Sequence, residues 1–234
     1  MREHILRVAE IHSFDIVSGA DRFIDAQQSV MGLVLVKTST PKLRPQNVFE
    51  KNGLRIFTRD SKDLESLYAG RKTLGELGFR VSTGQVVWNQ RKDDLTNDPK
   101  GAVPLLWAHN IGKDGELVFP VVGDKPQYVR NVTGGVGPAV IVNRITGAGE
   151  KALLRAALVP AGMRFVAENH ANVVTAPEGA SVSAYRSVLE QLRSERTQDF
   201  ARKLTGNTQI SKAELERIIP FDPVEGAQRQ LVFT

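Results

Sequence analysis

Arg164-Phe165-Val166-Ala167-Glu168-Asn169-His170-Ala171-Asn172-Val173-Val174-Thr175 is the stretch on which the fold turns. Its two flanks are apolar and rich in β-branched residues, so the run reads as a strand. On a continuous strand Glu168 and His170 share one face. The central triplet is too polar for an ordinary strand, and two readings follow. It is either a buried hydrogen-bonded network that fixes neighbouring loops, or a set of groups in direct contact with a partner.

Outward from this run, residues 46 to 180 are punctuated by Gly and Pro and hold further short strand patterns. These are Leu54 to Thr58, Phe79 to Asn89, Leu105 to His109, Leu117 to Val122, Ala139 to Ile145 and Leu153 to Val159. Asp114-Gly115 is a hairpin-turn signal before Leu117, and Ser61 to Tyr68 carries a helix signature with Ser61 as its cap. Residues 181 to 222 read as helical. Ser183 to Leu204 spaces Tyr185, Val188, Leu189, Leu192, Phe200 and Leu204 at three- and four-residue intervals, and Gly206-Asn207 is a C-terminal cap signal. Ser211 and Glu214 form a capping box that opens a second short helix, stopped by Pro220, and residues 223–234 are a tail.

Toward the N-terminus, Glu3 to Ala9 reads as a short helix and Ile11 to Val17 as a strand; Gly19-Ala20-Asp21 is a turn. Val30 to Val36 is a continuous apolar run of the kind found in strands buried on both faces. These two strands look like the edge of a larger sheet, which suggests that the 234 residues are cut from a longer chain. The prolines of Lys37 to Pro45 mark a boundary at about residue 45. The fold class expected is α+β, strand-rich first and helical last.

The chain carries 31 Lys+Arg against 26 Asp+Glu, a net charge of +5 that suits a phosphate-facing surface without requiring one. It has no cysteine, which excludes disulfides, thiolate nucleophiles and cysteine-ligated zinc. No apolar run approaches the roughly 20 residues that span a bilayer, so no membrane partner is expected and the expected compartment is the cytoplasm.

Catalytic constellations are not evident. Thr133-Gly134-Gly135-Val136-Gly137 follows no clear apolar strand and is blocked by Pro138, so it reads as a loop and not a nucleotide cradle. His4, His12, His109 and His170 lack metal-ligand spacing, and no metal is expected. Asp93-Asp94 beside Arg91 and Lys92 read as solvated loop. Three polar clusters suit nucleic acid better. Thr83 to Arg91 ends in Trp88, Asn89, Gln90 and Arg91, whose amides and guanidinium match base edges; the alternative is a bulged strand with a solvated end. Arg144, in the alternating Val142 to Thr146, is a plausible phosphate contact or an ordinary exposed strand arginine. Asn207-Thr208-Gln209 between the helices offers short donors suited to phosphates or to capping.

Several of these pieces, in order, resemble adenine-specific DNA methyltransferases. They are Ser82 to Val87 with Arg91, Pro104-Leu105-Leu106 with His109, Val142-Asn143-Arg144, Ala167 to Val173, and Gly206 to Ile210 with Leu215. The likeness is to the C-terminal half of type II restriction-modification enzymes of the TaqI-like, gamma arrangement, in which target recognition follows catalysis. It runs from about residue 50 to 222. Residues 1–40 resemble the closing strands of the catalytic domain. The family's Phe-x-Gly-x-Gly and Asn-Pro-Pro-Tyr motifs do not occur in the chain, Leu192-Arg193-Ser194 stands where relatives often have Leu-Asn-Ser, and Ala26 to Ser29 is less acidic than expected.

The resemblance therefore implies residues 1–45 as an edge remnant of an α/β catalytic sheet and 46–234 as a DNA target-recognition domain. It implies double-stranded DNA and a catalytic methyltransferase domain or subunit as partners. No cofactor is expected on this chain, S-adenosylmethionine belonging to the complete enzyme, and no activity is expected from the chain alone. Arg91, Arg144, Lys203 and Lys212 are the expected phosphate contacts, and Asn89, Gln90 and His109 the expected base readers. Glu168, Asn169 and His170 are expected to organise loops, and Asn207, Thr208 and Gln209 to lie at the DNA backbone or the helix junction. The alternative is a specificity or scaffold subunit that recruits a separate catalytic chain.

Overall fold

The computed structural model describes residues 2–17, 30–40, 47–58, 61–121, 123–145, 153–177, 179–204 and 209–226. The expected turn at Gly19-Ala20-Asp21, the segment Ala26 to Ser29, most of the proline boundary and the Gly206-Asn207 cap lie outside them.

The N-terminal elements are α1 (Arg2–Val8), β1 (Ala9–Val17) and β2 (Val30–Lys37), followed by a hairpin of β3 (Val48–Lys51) and β4 (Leu54–Phe57) and then α2 (Ser61–Ser66). Ten short strands come next. They are β5 (Lys72–Thr73), β6 (Arg80–Thr83), β7 (Leu95–Thr96), β8 (Val103–Leu106), β9 (Tyr128–Val129), β10 (Gly135–Val136), β11 (Ala139–Asn143), β12 (Ala156–Val159), β13 (Arg164–Ala167) and β14 (Ala171–Thr175). Helices α3 (Val182–Arg193), α4 (Glu195–Leu204) and α5 (Lys212–Arg217) follow, then β15 (Pro220–Phe221). The class is α+β.

The centre is an antiparallel four-stranded sheet in the order β12-β11-β14-β6. All five residues of β11 are buried because the sheet is covered on both faces. Val140 and Val142 join Val188, Leu192, Phe200, Leu215 and Phe221 in a core beneath the helices. Ala139 and Ile141 face the other way, into a core with Leu106, Phe165 and Ala167. Successive side chains thus serve opposite layers, which is why the run is apolar throughout instead of alternating. The second layer is a five-stranded sheet, β10-β13-β8-β9-β7, in which β13 and β8 are parallel.

Five expectations need correction. The run from Arg164 to Thr175 is two strands, parted by a tight turn in which Ala171 N donates to Glu168 O at 2.9 Å. The strand expected over Phe79 to Asn89 ends at Thr83, and Trp88–Gln90 is a 3-10 turn. Similarly, β8 stops at Leu106, and Ala108–Asn110 is a 3-10 turn. Of Leu117 to Val121, only Leu117 pairs, bridging Ile111 across the Asp114-Gly115 turn. The long helix breaks at Ser194, whose backbone is extended (φ −64°, ψ 145°). Its hydroxyl donates to Gln191 O at 2.7 Å and accepts from Thr197 N at 3.3 Å, so it closes one helix and opens the next.

The β1–β2 pair departs from its pattern in another way. Val34 and Val36 are 54% and 53% exposed, and Met31 and Leu35 are also exposed, so the apolar run is not a buried strand. Apolarity favours burial, but among the described residues only Leu33 of β2 packs into a small core, with Leu6, Ile11, Phe14 and Phe57. Asp222 is held between Arg196 (2.7 Å) and Arg71 (2.8 Å). The Arg196 hydrogen bond, with Arg71 beside it, keeps that carboxyl below the usual range.

Candidate nucleic-acid interface

The polar triplet forms the turn between β13 and β14. Glu168 is 1% exposed, and its carboxylate accepts from His170 N at 2.9 Å and from His170 Nδ1 at 2.8 Å. The Nδ1 contact leaves His170 Nε2 on the opposite edge of a half-exposed ring.

Three other segments are tied to the same turn. Glu168 N donates to Leu106 O and Asn169 N to Val86 O, both at 2.9 Å. Arg144 N donates to His170 O at 2.9 Å, and Arg144 Nη1 to Asn169 O at 2.7 Å. Gly84 passes so close beneath that a Cβ there would lie 2.5 Å from the Glu168 carbonyl carbon and 2.6 Å from Ala167 O. Only a residue without a side chain fits this crossing.

Direction matters as much as proximity. The bridge between Val86 and Glu168 is parallel, and so is the β13–β8 pairing. Three neighbouring segments therefore run off the same end of the layer. Val86 leads to Trp88, Asn89 and Gln90; Leu106 leads to His109; and Ala167 leads to Glu168, Asn169 and His170. Trp88, Asn89 and Gln90 are exposed. His109 is partly buried and stacks on Trp107 with centroids 5.9 Å apart and planes at 18°. Burial, with the Lys125 charge, pushes the His109 imidazole below its ordinary value, while Glu168 pulls the other way. Gln209 joins this side of the molecule by bridging Ile145, and Ile210 N donates to Arg144 O at 2.9 Å.

Two arginines expected at phosphates are engaged within the fold. Arg91 Nε donates to Asp94 Oδ2 at 2.8 Å, and its Nη2 reaches Asn131 O at 3.1 Å and Arg130 O at 3.3 Å. Asn131 Nδ2 donates to the other Asp94 oxygen at 2.7 Å, and these bonds hold that carboxyl below its usual range. Asp94 is thus a clamp and not solvated loop. Arg144 is a strut for the 168–170 turn; its Nε and Asn169 Oδ1 are buried without a hydrogen-bond partner among the described residues. Lys212 is exposed at the start of α5. The Lys203 side chain, Asn207 and Thr208 lie outside the described residues.

Sequence reasoning missed Lys125, whose Nζ sits 4.8 Å from the centre of the Trp107 ring, and Gln127, which accepts from Asn110 and from Val121 N. Neither stands in a distinctive pattern, because each is placed by contacts distant in sequence. Among the described residues no group of three His, Asp or Glu side chains is placed to hold a metal, and no helix is long and apolar enough to cross a membrane.

No family model matches the chain. It is 25% identical over 214 residues to the type II methyltransferase M.CvrRI of Paramecium bursaria Chlorella virus XZ-6E, an alignment that takes in 89% of this chain and 53% of that protein. The chain is related to a type II methyltransferase. It spans about half the length of that relative. A solved chain from a type I restriction-modification assembly is similar at a TM-score of 0.44 and 13% identity, over 70% of this chain and 41% of the other.

Proposed function

We propose that this chain recognises a short DNA sequence as the target-recognition part of a site-specific adenine methyltransferase of a restriction-modification system. The observation that carries the reading is the convergence of three parallel chain ends on one rim, where amides, imidazoles and an exposed tryptophan stand together. Asn89, Gln90 and His109 are assigned to base edges, since amide and imidazole groups supply the donor and acceptor pairs that the major groove distinguishes. Glu168, Asn169 and His170, braced by Arg144, hold the loops that present them. Lys212, with Lys203, Asn207, Thr208 and Gln209, is assigned to the sugar-phosphate side.

Methyl transfer belongs to the other half of the complete enzyme. The Phe-x-Gly-x-Gly loop is not in the sequence, and within the glycine-rich stretch at 133–137 Gly134 is packed, a Cβ there meeting Phe165 O at 2.9 Å, whereas Gly135 is open. On this reading S-adenosylmethionine is held by the catalytic half and not by this chain. The exposed apolar face of β2 favours a partner that covers it, either the catalytic domain of the same enzyme or, in the second reading, a separate catalytic chain.

The deciding experiment is selection from a randomised duplex pool, with sequencing and a salt titration. Enrichment of one short motif supports recognition by this chain itself. Salt-sensitive binding without a motif moves specificity to the missing half, and no binding at low salt overturns the reading.

A further inference from the structure

Trp88 is large, apolar and 43% exposed, yet the turn that carries it is held on both sides by hydrogen bonds. Its own backbone closes the 3-10 turn, with Gln90 N bonded to Val87 O at 3.0 Å and Arg91 N to Trp88 O at 3.2 Å. On one side Val86 is locked into the layer by Ala167 O and Asn169 N; on the other, Arg91 is clamped to Asp94 and to the 130–131 backbone. A tryptophan serving the core would be buried, as Trp107 is at 4% exposure with its Nε1 bonded to Pro126 O at 2.8 Å. Trp88 instead sits between the exposed amides of Asn89 and Gln90 on the chain and the Lys92 ammonium, 5.6 Å from the centre of its ring.

We propose that Trp88 is a stacking platform that takes the face of a nucleobase, at a duplex step opened on binding. This rests on the DNA-recognition reading and adds a residue and a mode of contact to it. An aromatic plane, two amides and a cation offer in one turn a surface for a base face, hydrogen bonds for a base edge and a charge for a phosphate. The turn is held before any ligand arrives, so little ordering is left for the moment of binding. Stacking is tolerant of sequence, and the neighbouring amides supply discrimination.

The test is titration of a mixed-sequence duplex of about 20 base pairs, labelled at one end, into the full chain and its Trp88→Ala and Trp88→Phe variants. Label anisotropy reports binding, and tryptophan emission reports stacking. Since the chain has two tryptophans and Trp107 is buried, quenching that vanishes in Trp88→Phe belongs to Trp88. The expected result is quenching on binding and a loss of affinity in Trp88→Ala of about five- to a hundredfold, from the usual worth of one base–aromatic stack. Trp88→Phe keeps most of the affinity, and the salt dependence of Trp88→Ala is unchanged, because no charge is lost. Matching thermal melts guard against a folding defect. Binding without quenching, and equal affinity for wild type and Trp88→Ala, overturns the stacking role and leaves DNA recognition standing. Failure of the wild type to raise the anisotropy overturns both.

Discussion

Replacing Gly84 with alanine tests the central claim about the rim, because one methyl group is asked to fit where the backbone of another segment already lies. The added Cβ would fall well inside van der Waals contact with the Glu168 carbonyl oxygen, 2.5 Å from its carbon and 2.6 Å from Ala167 O. All three atoms are backbone, so no side chain can rotate aside. Overpacking alone costs about 1–3 kcal/mol. Moving the segment also strains the bonds from Gly84 N to Ala171 O (2.8 Å), Val86 N to Ala167 O (3.2 Å) and Asn169 N to Val86 O (2.9 Å). Each is worth about 1 kcal/mol, and they weaken together. The expected loss is about 3–5 kcal/mol, a large part of a typical domain's stability. It corresponds to a fall in melting temperature of roughly 10 °C for a chain of this size. The control is Gly135→Ala, where a Cβ meets nothing within 4 Å and φ is not positive. That change should be neutral or stabilise by up to about 1 kcal/mol through the unfolded chain. Urea unfolding followed by circular dichroism measures both. Equal stability of the two variants, within about 1 kcal/mol, would refute the close crossing on which the rim depends.

Arg91→Ala and Asp94→Asn should weaken duplex binding equally, with the double variant no worse than either, because they break one clamp. A loss confined to Arg91→Ala in the anisotropy titration would restore Arg91 as a direct DNA contact. Burial, with the Lys125 charge, pushes the His109 imidazole down, so its folded pKa lies below its unfolded value. Its share of stability is therefore complete above the ordinary histidine value of about 6.5 and is lost as pH falls through the lower folded value. Urea midpoints should drop between about pH 7 and pH 5 in the wild type and by less in His109→Gln; parallel pH profiles would rule out the depressed value.

The features legible in the sequence are those written locally. The capping box at Ser211 and Glu214 forms as its spacing indicates, with Ser211 N bonded to Glu214 Oε2 at 2.8 Å and Glu214 N to Ser211 Oγ at 3.1 Å. The β-branched runs of β11 and β14 form strands, and the helical intervals of Tyr185, Val188 and Leu192 face the core. What composition could not locate is where those runs end. Val86-Val87-Trp88 has strand composition, but the chain has already crossed beneath Glu168 at Gly84 and turns away. Ser194 breaks a helix whose apolar spacing continues across it, since the hydroxyl that parts the two halves leaves no mark on the hydrophobic pattern. The exposure of Val34 and Val36 is not written in their apolarity, because burial needs a covering surface that the strand itself does not supply.

The arginines carry the same lesson into the site. Polarity at the ends of apolar runs points to loops, but which cation faces outward depends on partners far along the chain. Arg144 meets Asn169 across 25 residues, and Arg91 meets Asn131 across 40. Both are rigid forks suited to holding several acceptors in fixed geometry, and both are used here within the protein. The cations left exposed near or beyond the rim include Lys92, Lys125, Arg130 and Lys212. In the recognition reading this divides the work. Exposed cations give attraction that depends on salt and is indifferent to sequence, whereas orientation and discrimination rest on a rim stiffened by buried Glu168, Arg144 and the Arg91 clamp. On that reading, cutting Arg144 or the Arg91 clamp is expected to lower specificity by loosening the rim, without removing a base contact.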